Sequence, residues 1–136
     1  MRGEETQLVG CMLEKSGEEQ MFIHPGTHSK HMIIRNGKVE TFKTYMTGEL
    51  FSLLSTKSIL TGSVENNIEI QTAGNLDSFK AGVADGAKGN LLHELFMVRT
   101  NHLFKKYSLQ QNFHYLSGLL IGSELKDYPG TFKGKL

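Results

Sequence analysis

The sequence predicts an α/β chain, and three observations carry that reading. Met21 to Leu54 reads as a strand, a glycine turn, a second strand, an Asn-Gly hairpin, a third strand and the start of a helix. From Asp77 to Leu125 apolar residues recur at helical spacing. Glycine is plentiful at 15 residues and proline scarce at 2, so the connections are glycine turns rather than Pro-rich linkers.

At the N-terminal end, Leu8, Val9, Met12 and Leu13 have the spacing of a short amphipathic helix, with Glu4 and Glu5 in its first turn. Residues 16–20, Ser-Gly-Glu-Glu-Gln, form a polar turn. Met21-Phe22-Ile23 is a short apolar strand, expected to be buried. His31 to Arg35 is the next strand. Asn36-Gly37 is the strongest short-range hairpin signal in the chain, because both central residues of a type I′ turn need positive φ. Lys38 to Met46 is the return strand, with Val39, Phe42, Tyr45 and Met46 as its apolar members. Thr47 is expected as the N-cap of the following helix, with Glu49 in its first turn and Leu50, Leu53 and Leu54 on its apolar face. Thr61 to Gly74 reads as a loop with a short strand over 68–70. Phe79, Val83 and Ala87 mark one helix, broken or bent near Gly86 and Gly89. Leu91 to Phe104 marks a second. Phe113 to Leu125 marks a third, in which Gly118 and Gly122 allow close helix contact, and Tyr128-Pro129-Gly130 ends it. The tail from Thr131 is basic and reads as loose. There is no internal repeat and no low-complexity segment.

Composition sets bounds on function. A length of 136 residues is enough for a domain with a core, and the net charge of +1 gives no basic field for nucleic acid. A lone cysteine, Cys11, excludes an internal disulfide framework and fits a reducing compartment. No apolar run approaches the ~20 residues of a membrane span, and Glu4 and Glu5 stand where a signal peptide would turn apolar. The expectation is a soluble cytoplasmic protein.

The best candidate for chemistry is the turn His24-Pro25-Gly26-Thr27-His28-Ser29-Lys30. Gly26 lets backbone approach a ligand closely. Thr27 and Ser29 add hydroxyls, and Lys30 adds a positive charge as the next strand begins. Successive N–H groups in such a turn form an anion-binding concavity, although the same residues also serve ordinary connections. Glu4 and Glu5 are either surface acids matched to the helix dipole or cleft-facing carboxylates able to act as a general base. Arg2 either pairs with them or binds a substrate carboxylate or phosphate as a fork. Glu49 is either a helix-start acid or a second cleft residue.

The histidines give no metal site on this reading. His24, His28 and His31 cluster, but Pro25-Gly26 prevents a helix there, and no acid or cysteine nearby has ligand spacing. His93, His102 and His114 fall on helices as surface or packing residues. Cys11 lacks an evident base. Neither a GxxxxGK[ST] loop nor a GxGxxG fingerprint occurs.

Four stretches taken together carry a family resemblance: residues 1–7, MRGEETQ; residues 25–30, PGTHSK; residues 46–50, MTGEL; and residues 116–124, LSGLLIGSE. In this order the chain resembles the middle of the 2-dehydro-3-deoxygalactonokinases, which belong to the sugar-kinase, hexokinase and actin superfamily. The resemblance implies a ribonuclease H-like (actin-like ATPase) β-β-β-α half-domain with an incomplete sheet, followed by an α-helical insertion. Residues 1–20 would form an interdomain helix and turn, 21–62 the β-β-β-α unit with its phosphate turn, and 63–136 the helical region and tail. The implied activity is transfer of the ATP γ-phosphate, with Mg2+, to the 6-hydroxyl of 2-dehydro-3-deoxy-D-galactonate in galactonate breakdown.

The same resemblance assigns roles. Gly26 and Thr27, with His28, Ser29 and Lys30 beside them, would hold the ATP phosphates. Glu4 or Glu5 would be the catalytic base, standing where related sugar kinases usually carry Asp. Arg2, Thr47, Gly48 and Glu49 would contact the sugar acid. The sequence has neither an Asp-Trp-Gly-Ser-Thr phosphate motif nor a glycine-rich adenosine motif, so the expectation is the middle piece of a kinase, with little or no activity alone. A second reading is a non-catalytic module that self-associates as a homodimer or larger oligomer through an open sheet edge and an uncovered helix face. A third is a kinase for a different sugar.

Overall fold

The computed structural model describes residues 19–66, 69–126 and 128. The chain divides into a sheet unit that ends at Tyr45 and a helical unit that begins at Met46.

In the sheet unit, β1 (Glu19–His24), β2 (Ser29–Arg35) and β3 (Lys38–Tyr45) form an antiparallel meander in the order β1-β2-β3. The β1–β2 ladder runs from Glu19 opposite Arg35 to His24 opposite Lys30. Glu19 and Gln20 are therefore strand residues and not part of the expected polar turn. The Asn36-Gly37 turn has φ of 52° and 73°, the type I′ signature that the dipeptide predicts. Further along, Ile33 pairs with Thr41 but Ile34 with Val39, so Glu40 is the extra residue of a bulge.

Met32 and Ile34 on the central strand are buried, and Phe22, directly opposite Met32, packs against them. Met21 is buried but Ile23 is exposed, so β1 is covered only over its first half. β3 is exposed along almost its whole length, including Val39 and Phe42. At the hairpin end Arg35 reaches Glu19 at 3.2 Å and Glu40 at 3.7 Å. Such exposed pairs contribute little to stability.

The helical unit contains α1 (Thr47–Lys57), a 3-10 turn (Thr61–Ser63), α2 (Ala73–Lys88), α3 (Leu91–Leu103) and α4 (Leu109–Leu125). Its core is Leu60, Val98, Tyr115, Leu116, Leu119 and Leu120, with Leu50, Phe51, Leu54, Leu91 and Leu95 packed around them. Asn90 caps α3 by accepting the Leu92 N–H at 3.0 Å. Ser108 and Gln111 form a reciprocal capping box that starts α4 four residues before Phe113.

Several sequence expectations need correction. Thr47 is the first residue of α1, not its cap; Met46 holds the cap position without a side-chain bond. Ala73 and Gly74 already belong to α2, and Thr61–Ser63 is a 3-10 turn, so the 61–74 stretch is only partly loop. Of the strand expected at 68–70, Glu69 and Ile70 are not extended into a sheet, and Ile68 lies outside the described residues. Gly86 does not break α2, which runs unbroken to Lys88 with Gly89 as its C-cap.

Gly86 serves packing instead. Gly82 and Gly86 on α2, and Gly118 and Gly122 on α4, are all buried and face each other's helix backbone. A β-carbon at Gly82 would overlap the Tyr115 carbonyl oxygen, and one at Gly118 would stand 2.9 Å from the Val83 nitrogen. Two i, i+4 glycine pairs thus let the helices meet backbone to backbone. Asn112 ties the unit together from the inside. Its fully buried amide donates to the Ser63 carbonyl at 3.0 Å and the Val98 carbonyl at 2.8 Å. Among the described residues no helix is long and apolar enough to cross a membrane.

Candidate functional site

The β1–β2 connection places Gly26, Thr27 and His28 on an exposed turn, with Ser29 and Lys30 opening β2. The strands fix this turn from both sides, because His24 and Lys30 are paired across the ladder. Gly26 does not have the positive φ that would require glycine. Nor does packing require it, since a β-carbon there would have no neighbour within 4 Å. The fold itself therefore does not call for glycine at this position. A group approaching the backbone from outside would call for it.

The Lys30 side chain folds back over the same turn, and its ammonium donates to the His28 carbonyl at 3.0 Å. A positive charge thus sits beside the turn's backbone. Ser29 is buried at the start of β2. Of the clustered histidines, His31 is buried, with its ring centroid 4.6 Å from that of Tyr45, while His28 is exposed on the turn. Among the described residues no three His, Cys, Asp or Glu side chains gather as a metal site.

Thr47, Gly48 and Glu49 form the first turn of α1, in the helical unit. The Thr47 hydroxyl donates a hydrogen bond to the Glu124 carboxylate, near the end of α4. Glu124 is buried, at 8% exposure. In the sequence Glu124 stands out only as the last residue of the 116–124 stretch, with no role of its own. The signal available was a carboxylate closing an otherwise apolar, glycine-containing run. Arg2, Glu4, Glu5 and Cys11 lie outside the described residues.

A three-stranded antiparallel meander, opened by a glycine turn and running directly into a helix and a helical body, defines an α/β chain with an incomplete sheet. The chain belongs to the 2-keto-3-deoxy-galactonokinase family, whose model matches residues 1–135. It is 36% identical to the 2-dehydro-3-deoxygalactonokinase of Escherichia coli (strain K12) over 135 residues, covering 94% of this chain and 43% of that protein. It is 35% identical over 127 residues to a probable 2-dehydro-3-deoxygalactonokinase, DgoK1, of Rhizobium meliloti (strain 1021), covering 92% of this chain and 41% of the relative. A crystal structure of a Sinorhizobium meliloti protein described by the same enzyme name superposes with a TM-score of 0.81 at 32% identity, over 99% of this chain and 44% of that one. The chain therefore spans less than half the length of the relatives it matches. The β-β-β-α order expected from the resemblance is the order observed.

Proposed function

We propose that this chain takes part, in the cytoplasm, in ATP-dependent phosphorylation of 2-dehydro-3-deoxy-D-galactonate on its 6-hydroxyl. The family match over residues 1–135 supports the reading, and the observation that carries it is the Gly26 turn, where neither φ nor packing calls for a glycine.

Bound Mg-ATP supplies the γ-phosphoryl group and two of the positive charges that oppose its negative charge. The chain supplies the rest. Backbone N–H groups at Gly26 and Thr27 hold phosphate oxygens, with His28 and Ser29 beside them, and the Lys30 ammonium offsets their charge. Glu4 or Glu5 accepts the proton of the attacking hydroxyl. Arg2 and the Thr47-Gly48-Glu49 turn orient the sugar acid.

Isothermal calorimetry tests this reading. The chain is expected to bind Mg-ATP and, separately, 2-dehydro-3-deoxy-D-galactonate in preference to other six-carbon sugar acids. Heat from neither ligand would contradict the proposal. Equal binding of unrelated sugar acids would favour a kinase for a different sugar. On its own the chain is expected to show little or no turnover.

Self-association is a second reading, supported by one observation. Leu92 (82% exposed), Phe96 and Leu103 line one side of α3, and Phe104 (80% exposed) follows them. Isolated monomers rarely leave large contiguous apolar patches in water. Sedimentation of the chain and of a Leu92→Glu, Phe104→Glu variant tests it. A dimer that the variant abolishes supports the reading, and a monomeric parent chain removes it.

A further inference from the structure

We infer that the outer face of α3 is an interface between two copies of this chain, which pair antiparallel through Leu92, Phe96, Arg99 and Leu103. The inference rests on the reading of the chain as self-associating, and it gives that reading a surface and a register.

The inner side of α3 is already occupied. Val98 is buried in the core of the helical unit, and Leu91, Leu95 and Met97 pack against that core. On a surface helix the opposite side is normally polar. Here it carries Leu92, Phe96 and Leu103, all exposed. A helix that is apolar on both sides is normally covered on both.

The spacing of the outer residues points to what covers it. Leu92, Phe96, Arg99 and Leu103 are separated by four, three and four positions. They therefore fall within about 60° of one another around the helix axis. That alternation is the spacing of a coiled-coil seam, which sets one narrow stripe against one partner helix. The stripe is also nearly symmetric about its own midpoint, between Met97 and Val98. A leucine stands at each end, and a ring and a guanidinium stand at equal distances from the middle. Two copies related by a two-fold axis at that midpoint set Leu92 against the partner's Leu103 and Phe96 against the partner's Arg99, each contact occurring twice. Leucine then meets leucine, and each guanidinium meets an aromatic ring, whose face attracts a cation. A parallel pair would instead oppose the two guanidinium groups.

Arg99 fits this arrangement. Among the described residues no carboxylate pairs with it, so in a single copy its charge only interrupts an apolar stripe. Phe104, exposed just past the end of α3, comes opposite the start of the partner's α3 and widens the contact. With 13 residues, α3 is about 20 Å long, so the interface is of the small, reversible kind.

The test uses the full chain. Sedimentation should show a concentration-dependent dimer. Phe96→Arg sets guanidinium groups against each other and should raise the dissociation constant by about tenfold or more. Its thermal midpoint should stay near the parent's, because Phe96 is exposed. The register is read by crosslinking. Leu92→Cys and Leu103→Cys are made separately in a Cys11→Ser background, so that each chain holds a single thiol. Mixed under mild oxidation, the two variants should form a disulfide-linked dimer several-fold faster than either does alone, because only the 92–103 pairing brings the thiols within bonding reach. A monomeric parent chain would overturn both the self-association reading and this inference, leaving the α3 face to a different chain or to a further part of a longer one. A dimer that Phe96→Arg leaves intact would overturn the inference alone. So would cysteine variants that crosslink to themselves as readily as to each other.

Discussion

Gly82 on α2 lies against the backbone carbonyl of Tyr115 on α4 with no room for even a methyl group. The obstacle is main chain, which cannot rotate aside as a flexible side chain would. Gly82→Ala should therefore force the helices apart. Overpacking of a tight core costs about 1–3 kcal/mol and occasionally more, and here the upper end or beyond is expected. Gly118→Ala, opposite the Phe79 carbonyl, should behave alike. Gly62→Ala is the control, since a β-carbon there meets nothing within 4 Å; it should stay within about 0.5 kcal/mol. Thermal denaturation of the three variants distinguishes them.

Buried Asn112 gives a second prediction. Its amide satisfies the Ser63 and Val98 carbonyls, so Asn112→Leu leaves both without that donor and should cost about 2–3 kcal/mol. Asn112→Asp should be worse at neutral pH, because an acceptor-only carboxylate would then face two carbonyl oxygens. Urea denaturation of the pair at pH 7 and at pH 4 checks this, with the Asp variant expected to recover in part at the lower pH as its carboxyl protonates.

Much of the fold was legible because its signals are local. Asn36-Gly37 needs only its own backbone to announce a hairpin, and the observed φ values agree. The leucines of α3 and α4 announce helices by spacing. What was not legible depends on partners distant in sequence. Gly86 reads as a helix breaker until α4 lies across it, at which point the missing side chain becomes the reason the helices touch. Thr47 reads as a cap because threonine at a helix start commonly caps; its hydroxyl turns instead to Glu124, 77 residues away. The Gly26 turn stands out in the sequence by residue types suited to phosphate, but that φ and packing leave the glycine unexplained is visible only in the structure.

Tyr115 and Asp85 give a third prediction. The Tyr115 hydroxyl donates to Asp85 at 2.8 Å, and burial, followed by that bond and the nearby negative charge, pushes its pKa well above the usual value. Tyr115→Phe keeps the ring in the core and removes only the bond. A hydrogen bond to a charged group contributes about 1.5–3 kcal/mol, and because Asp85 is exposed the loss should fall at the lower end. Chemical denaturation measures it.

His114 gives a pH dependence. It is buried, its Nε2 has no hydrogen-bond partner among the described residues, and burial lowers its pKa below the ordinary 6.5. As pH falls below 6.5 the unfolded chain binds the proton while the folded chain does not. Stability from this residue is therefore fully present above 6.5, declines as the pH falls, and levels off below the folded pKa. Denaturation midpoints between pH 8 and 5, compared with those of His114→Gln, should show a steeper acid-side loss in the parent chain.

The most direct measurement is a Mg-ATP titration of the parent chain and of Gly26→Val, followed at the backbone amides of residues 26–30. Open space around Gly26 and its ordinary φ predict a variant with nearly the parent's thermal midpoint. On the proposed reading, however, its side chain would stand where phosphate oxygens approach. The account predicts saturable shifts at Gly26 to Lys30 in the parent chain and affinity reduced by about tenfold or more in the variant. Amides that ignore Mg-ATP in the parent chain, or a variant that binds equally well, would contradict it.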